Sequence, residues 1–425
     1  LGMSAISVET NSVLAVVAFL ALLTGSFTKA GAFPFHTWIP DYSRYAPATS
    51  SALLPASLDK LLGIYFLARI TTQLFILNEW LVLILMTIGG VTIIVAVMMA
   101  LVQHNYKQLL GYHAVSQVGY MILGFGLGSA LGVAAGLFHM INNAIYKSGL
   151  FLTAGCIESR TGKENIEDLG GLSHSMPVTF GCALIFALSI SGIPPFNGFA
   201  SKWMIYQGIV DSGTQPTLAG KLWFVWLGLA VLGSALTLAS FIKFIGGIFL
   251  SRRKEEFSRV KEVPLLMWAP LVILALICVI FGFFASSFVI PELLTPVSGA
   301  FEFTGTWNSS FILILVGVSI FLGAAIYLSG TIKKFRTEDS YIGGEKFQDQ
   351  TGFPVTGFYK TIGEFGPIAW LYRKAAEKWF DVYDLSKQVV LWLSHRLSDL
   401  HTGVLSSYAF WVIFGLVIML ILVVH

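Results

Sequence analysis

The sequence predicts an all-α polytopic membrane protein, and three observations carry that reading. Of the 425 residues, 56% are hydrophobic and only 12% charged, where a soluble domain carries about 25% charged residues. The mean hydropathy is +0.77, and no long segment has the composition of a globular domain outside a membrane. Apolar runs of roughly 20 residues, long enough to span, recur near 11–31, 50–70, 80–102, 109–130, 131–156, 178–210, 221–250, 264–289, 309–330 and 406–424. About ten transmembrane helices are expected, two of them broken, with a lateral amphipathic helix before the last span.

Sidedness follows from the loops. Alternating the spans places Arg44, Lys107, Arg160, Lys163, the run Arg252, Arg253, Lys254, Arg259 and Lys261, and the segment 331–405 on one side. The opposite side receives little beyond Arg69 and Lys221. By the positive-inside rule the basic side is expected to be cytoplasmic, in the cytoplasmic (inner) membrane. The first helix then starts outside, so further helices are expected before residue 1. The opening "LGMSAISVET" lacks the basic stretch of a signal peptide.

Residues 1–290 form the expected transmembrane core. Its first span, "NSVLAVVAFLALLTGSFTKAGAFPFHTWIPD", carries Lys29 just before Pro34 and His36. The next carries Asp59 and Lys60; successive helical residues point about 100° apart, so Asp59 is free to pair with a different lysine. In "GYHAVSQVGY", His113, Ser116, Gln117 and Tyr120 recur at helical spacing. In "FHMINNAIYKSG", His139, Asn142, Asn143, Tyr146 and Lys147 do the same, with 139, 143 and 146/147 sharing a face. The span 178–210 holds Pro194 and Pro195 in "SGIPPFNGFASKW", followed by Lys202. Beyond the core lie an extra helix (291–330), a polar loop and amphipathic segment (331–405), and a final span (406–425).

The buried charges are the functional signal. Lys29, Lys60, Lys147 and Lys202 read as the four basic residues well inside apolar spans, and each costs about 2.5–3.5 kcal/mol near the bilayer centre. Snorkelling accommodates one such residue but is a poor account of four in different helices. Burial disfavours a charged amine and a nearby carboxylate favours it, which is what a proton relay needs. Lys29 and Lys202 also flank prolines, which free backbone carbonyls and are tolerated at membrane depth only inside protein or beside water. Paired broken helices point to a transport site. The lysine–proline order is reversed between the two, as in an inverted repeat. Asn, Ser and Gln in the polar stripes read first as glue between helices. His139, near Lys147, reads as a relay, with His113, His36, Asn143 and Tyr146 as accessory candidates.

The segment around 357–402 mixes apolar and charged residues at helical spacing. It is expected to lie along the membrane or along partner subunits. At 1.5 Å per residue it would run on the order of 60 Å. Cys156, Cys182 and Cys278 stand alone in apolar runs, without the spacing of a metal or iron–sulfur site. No nucleophile–base set, metal-ligand set or phosphate loop is readable, so no active site of the chain's own is expected, and no nucleic-acid partner.

The motifs "TKAGAFPFHTWIPD", "LLGYHAVSQVGYMILG", "LFHMINNAIYKSGLFLTAG", "IEDLGGL" and "ISGIPPFNGFASKW" resemble the antiporter-like subunits of complex I, of group 4 membrane-bound hydrogenases and of Mrp cation/proton antiporters. The likeness covers about residues 15–290, and the tail resembles NADH dehydrogenase chain 5 (subunit L). It implies that Lys29 matches the lysine of the first broken helix and Lys60 a lysine of the next. It also implies that His139 and Lys147 match a bridging pair, and Lys202 the terminal lysine of the second broken helix. The glutamate that partners the first lysine in that family has no counterpart in this sequence. Pro55 and Asn143 stand where many members have histidines, and His113 where serine is common.

The resemblance implies a proton- or Na+-translocating subunit without cofactors of its own. Iron–sulfur clusters, flavin or a NiFe centre are expected in partner subunits, and other antiporter-like and redox subunits are expected along 357–402, with lipid around the spans. The alternatives are a subunit of a secondary Mrp-type cation/proton antiporter, and a structural clamp without transport.

Overall fold

The computed structural model describes residues 7–303, 309–329, 363–364, 366–401 and 403–424. It is almost wholly helical, apart from a parallel pairing of β1 (Val8–Glu9) with β2 (Phe75–Ile76). Two units are separable, Leu1–Tyr372 and Arg373–His425.

The first unit begins with α1 (Val13–Ala30), a non-helical segment around Pro34, and the short α2 (Trp38–Tyr45). Next, α3 (Ala48–Leu53) passes through a widened turn at Leu54–Leu58 into α4 (Asp59–Arg69). Then come α5 (Glu79–Leu101), α6 (Tyr106–Gly126) and the 32-residue α7 (Ala130–Thr161). The expected span at 178–210 is two half-helices, α8 (Pro177–Ser191) and α9 (Asn197–Ser212). The short α10 (Leu218–Lys221), α11 (Trp223–Ile245), α12 (Leu265–Phe283), α13 (Thr295–Ser298) and α14 (Ser309–Ser329) complete the order.

Position in the bundle explains composition. Among the described residues, six helices are long and apolar enough to cross a membrane by themselves: α1, α3–α4, α5, α11, α12 and the C-terminal α17 (Leu405–Val424). The polar stripes belong instead to α6 and α7. Nearly every residue of α6 is buried, so its His, Ser, Gln and Tyr face protein rather than lipid, where such groups are tolerated. Core residues of α6, α7, α8, α11 and α12 pack together, including Phe151, Phe186 and Phe241. Cys156, Cys182 and Cys278 are buried in that core, unpaired with one another.

Both breaks end a helix on a glycine. Gly31 caps α1 at φ +74° and Gly192 caps α8 at φ +81°, left-handed conformations that a side chain disfavours. Phe33–Pro34 and Pro194–Pro195 are cis.

The amphipathic segment differs from the expected single rod. The described part forms α15 (Gly366–Ala376) and α16 (Val382–Leu400), separated by a turn in which Lys378 adopts φ +60°. Asp381 caps α16 through the N–H groups of Tyr383 and Asp384. That side-chain oxygen satisfies the orphan donors of a new helix start, which divides the segment. Residues 330–362 lie outside the described residues. Within the second unit, α16 exposes Val389, Val390, Trp392, Leu393 and Leu397, and α17 is uncovered along its length.

Candidate functional site

At the first break, Ser26 donates to the carbonyl of Gly63 at 2.8 Å, and Trp38 to that of Thr28 at 3.1 Å. The Phe33 N–H is taken by the Thr92 hydroxyl at 3.2 Å. Lys29, in the last turn of α1, forms an ion pair with Asp59 of α4. Its side chain is 51% exposed while that of Asp59 is 10% exposed, so the expectation of a fully buried Lys29 is corrected. Elsewhere on α1, Val13, Leu14, Val17 and Leu20 are also exposed. His36 is buried, its ring 5.5 Å from Phe33.

Lys60 follows Asp59 in α4. It is 1% exposed and donates to the carbonyl of Ala30 at 3.0 Å. That carbonyl belongs to the last turn of α1, where the break leaves acceptors unsatisfied and the helix dipole is negative. The widened turn around Pro55 exposes further carbonyls, and α7 takes them. Asn143 donates to Ala56 at 3.2 Å and Ser148 to Ala52 at 2.9 Å.

On α7, Lys147 is fully buried and donates to the carbonyl of Leu110 in α6 at 2.8 Å. It lies 5.8 Å from the Phe241 ring and 6.0 Å from that of Phe151, and within electrostatic reach of Lys60. Two turns away His139 is hydrogen-bonded at both nitrogens, to Ser201 at 3.0 Å and to Gln117 at 3.2 Å. The Tyr146 hydroxyl, the Asn143 Oδ1 and both nitrogens of His113 are buried with no hydrogen-bond partner among the described residues.

At the second break, Asn142 donates to the carbonyl of Asn197 and accepts from its side chain, both at 2.9 Å, and Ser189 donates to Asn197. Lys202 reaches from the second turn of α9 past Gly192, where a Cβ would come within 2.9 Å of its Cδ. It is 1% exposed and donates to Ser234 of α11 at 3.0 Å. Tyr206 and Tyr120 bond the same hydroxyl at 2.6 and 2.9 Å, and the Lys202 ammonium stands 4.5 Å from the Tyr120 ring centroid. No carboxylate pairs with Lys60, Lys147 or Lys202 by ion-pair contact among the described residues.

Sequence reasoning missed three groups. Ser234 and Tyr206 converge on Lys202 from helices whose meeting no local motif announces. Lys243 of α11 is a further deeply buried lysine, 1% exposed, donating to the carbonyls of Leu101 at 2.6 Å and Gln103 at 2.8 Å. Its place near the end of an apolar run resembles an ordinary snorkelling position; only its burial distinguishes it.

The basic loops form a tied end. Lys107, nearly buried, bonds Glu158 at 3.0 Å and Glu164 at 2.9 Å. That hydrogen bond from Lys107 holds the Glu164 carboxyl below the usual carboxylate range. His104 bonds Glu167 at 2.8 Å.

Residues 2–222 match the family described as NADH:quinone oxidoreductase/Mrp antiporter, transmembrane. The chain belongs to this family. An Na+/H+ antiporter subunit of Alkalihalophilus pseudofirmus is 36% identical over 299 residues, which is 66% of this chain and 36% of that protein. The chain therefore spans about a third of that curated relative. A subunit of the membrane-bound sulfane sulfur reductase, an archaeal respiratory membrane complex, superposes with TM-score 0.79 at 27% identity, over 97% of this chain and 69% of its own. Respiratory complex I from Thermus thermophilus gives TM-score 0.58 at 25% identity, over 66% and 57%. The structural relatives are thus subunits of multi-subunit membrane complexes, and the all-α polytopic architecture is theirs.

Proposed function

We propose that this chain is an ion-translocating subunit of a redox-driven membrane complex, moving protons (or Na+) along Lys29–Asp59, Lys60, Lys147, His139 and Lys202. The observation that carries the reading is that Lys60, Lys147 and Lys202 are buried against neutral oxygens, without an ion-pair contact to a carboxylate among the described residues. A structural lysine in a membrane protein normally has its charge compensated; these hold theirs through backbone and hydroxyl dipoles. A shift of Asp59 away from Lys29 would change the balance at the next amine, and the change would pass along the row. Moving one charge against 100 mV takes about 2.3 kcal/mol, so the drive comes from partner subunits. Those are where iron–sulfur clusters, flavin or a NiFe centre belong in this reading.

The broad likeness to a subunit of a respiratory membrane complex favours the redox-driven version. The antiporter relative favours the second version, a subunit of a secondary Na+/H+ antiporter. In both, the chain is multi-pass in the cytoplasmic membrane with its basic loops inside, and α15 and α16 lie against neighbouring subunits. The test is Lys202→Ala in the assembled complex in proteoliposomes. Ion movement falls to background while electron transfer in the partner subunits persists at a reduced rate. Undiminished ion movement overturns the proposal, and ion movement with no redox subunit co-purifying selects the antiporter version.

A further inference from the structure

Lys243 is as deeply buried as Lys60, Lys147 and Lys202, yet it stands apart from them, against the loop that joins α5 to α6. Its ammonium sits on the C-terminal end of α5, donating to the carbonyls of Leu101 and Gln103, with Ala100 at 3.5 Å. The next residue along that loop is the exposed His104, paired with Glu167, and Lys243 lies in electrostatic reach of Glu167. The outer side of Lys243 therefore meets solvent-exposed titratable groups at the basic end.

Toward the core lie buried polar groups without a hydrogen-bond partner among the described residues. One turn back on α11, the Ser240 hydroxyl is fully buried with no hydrogen-bond partner among the described residues. His113 is fully buried, and neither ring nitrogen has such a partner. Its ring packs 4.8 Å from Phe241, whose centroid is 5.8 Å from the Lys147 ammonium. His113 is in electrostatic reach of both Lys147 and Lys243. Buried polar atoms without protein partners normally recruit ordered water, and such water would link these groups for proton transfer. The same helix continues the polar ridge: Ser234, Thr237, Ser240 and Lys243 follow at i, i+3 spacing, neighbours on a helix surface, over about 13 Å.

We propose that Lys243 is the basic-side loading residue of the row, passing protons through His113 to Lys147. The ammonium of Lys243 gives up a proton to neutral His113 at one ring nitrogen, and His113 releases a proton from the other nitrogen to the neutral amine of Lys147. Lys243 is recharged from the His104 end. This inference rests on the function proposed above.

A purely structural alternative is that Lys243 only caps α5. The two differ in the response to arginine, which keeps the charge and the donors but does not release a proton. In proteoliposomes holding the assembled complex, Lys243→Arg is expected to assemble normally and lose at least tenfold in translocation rate. His113→Leu is expected to show a loss of similar size. A wild-type rate in assembled Lys243→Arg, or in His113→Leu should the arginine variant fail to assemble, overturns the assignment. Lys202→Ala in the same vesicles separates the two levels. If it abolishes translocation while Lys243→Arg does not, the loading role alone fails; if it translocates at the wild-type rate, the function itself fails.

Discussion

The two broken helices of the core are built from the same parts and hold their lysines differently. At each, a helix stops on a left-handed glycine and resumes after a proline segment. Lys29 ends the first half of its pair, half exposed and bonded to a carboxylate. Lys202 begins the second half of its pair, buried and bonded to a hydroxyl shared with two tyrosines. A carboxylate partner that moves away imposes a large change on its lysine, whereas a serine hydroxyl can only accept or yield one hydrogen bond. The first break is thus suited to receiving an electrostatic signal and the second to holding and releasing a proton.

The sharpest way to break this contrast is Lys202→Met. Translocation is expected to fall to background in vesicles, with no drop in thermal stability, because no ion pair is lost. Translocation at the wild-type rate would make the second break merely structural. Next in size is the clamp on that break. Asn142→Ala removes one hydrogen bond from the Asn197 backbone carbonyl and one from its side-chain amide and is expected to cost about 1–3 kcal/mol, read as a lower unfolding midpoint in detergent. Asp59→Asn tests the signal at the first break: it removes the charge but keeps the shape. A tenfold slower translocation is expected, with folding intact.

The smallest effect serves as a control remote from both breaks. The folded-state affinity of Glu164 for its proton is lowered by Lys107. Its contribution is therefore fully present above the usual carboxylate range and lost as pH falls through the lowered value. With its side chain 43% exposed, that contribution is below about 1 kcal/mol. Glu164→Gln is expected to lower stability slightly at pH 7, and the difference from wild type should vanish on acidification.

How much of this was legible differs residue by residue. Lys29, Lys60, Lys147 and Lys202 stand out because a charge in an apolar run is conspicuous, and the prolines mark both breaks. Helix geometry leaves Asp59 free to pair away from Lys60, and the structure gives that partner as Lys29. By contrast, Ser234 gives no signal, because a serine in a lipid-facing span is ordinary until a lysine from another helix arrives at it. Lys243 hides for a related reason: near the basic end of a span, sequence reads it as surface-seeking, and only the fold reveals the carbonyls above it. Lys29 shows the converse error, since an apolar run does not guarantee cover on every side of a helix. The division of the amphipathic segment at Lys378 escapes notice because its helical spacing continues across the turn.

Lys60, Lys147 and Lys243 all rest their ammonium groups on main-chain carbonyls. Such acceptors are independent of the genetic code: no codon change at Ala30, Leu110 or Leu101 deletes them. Related chains could diverge widely around these positions and still keep the same cradle for each lysine. A comparison of side chains alone would then pass over the part of the site that has the least freedom to change.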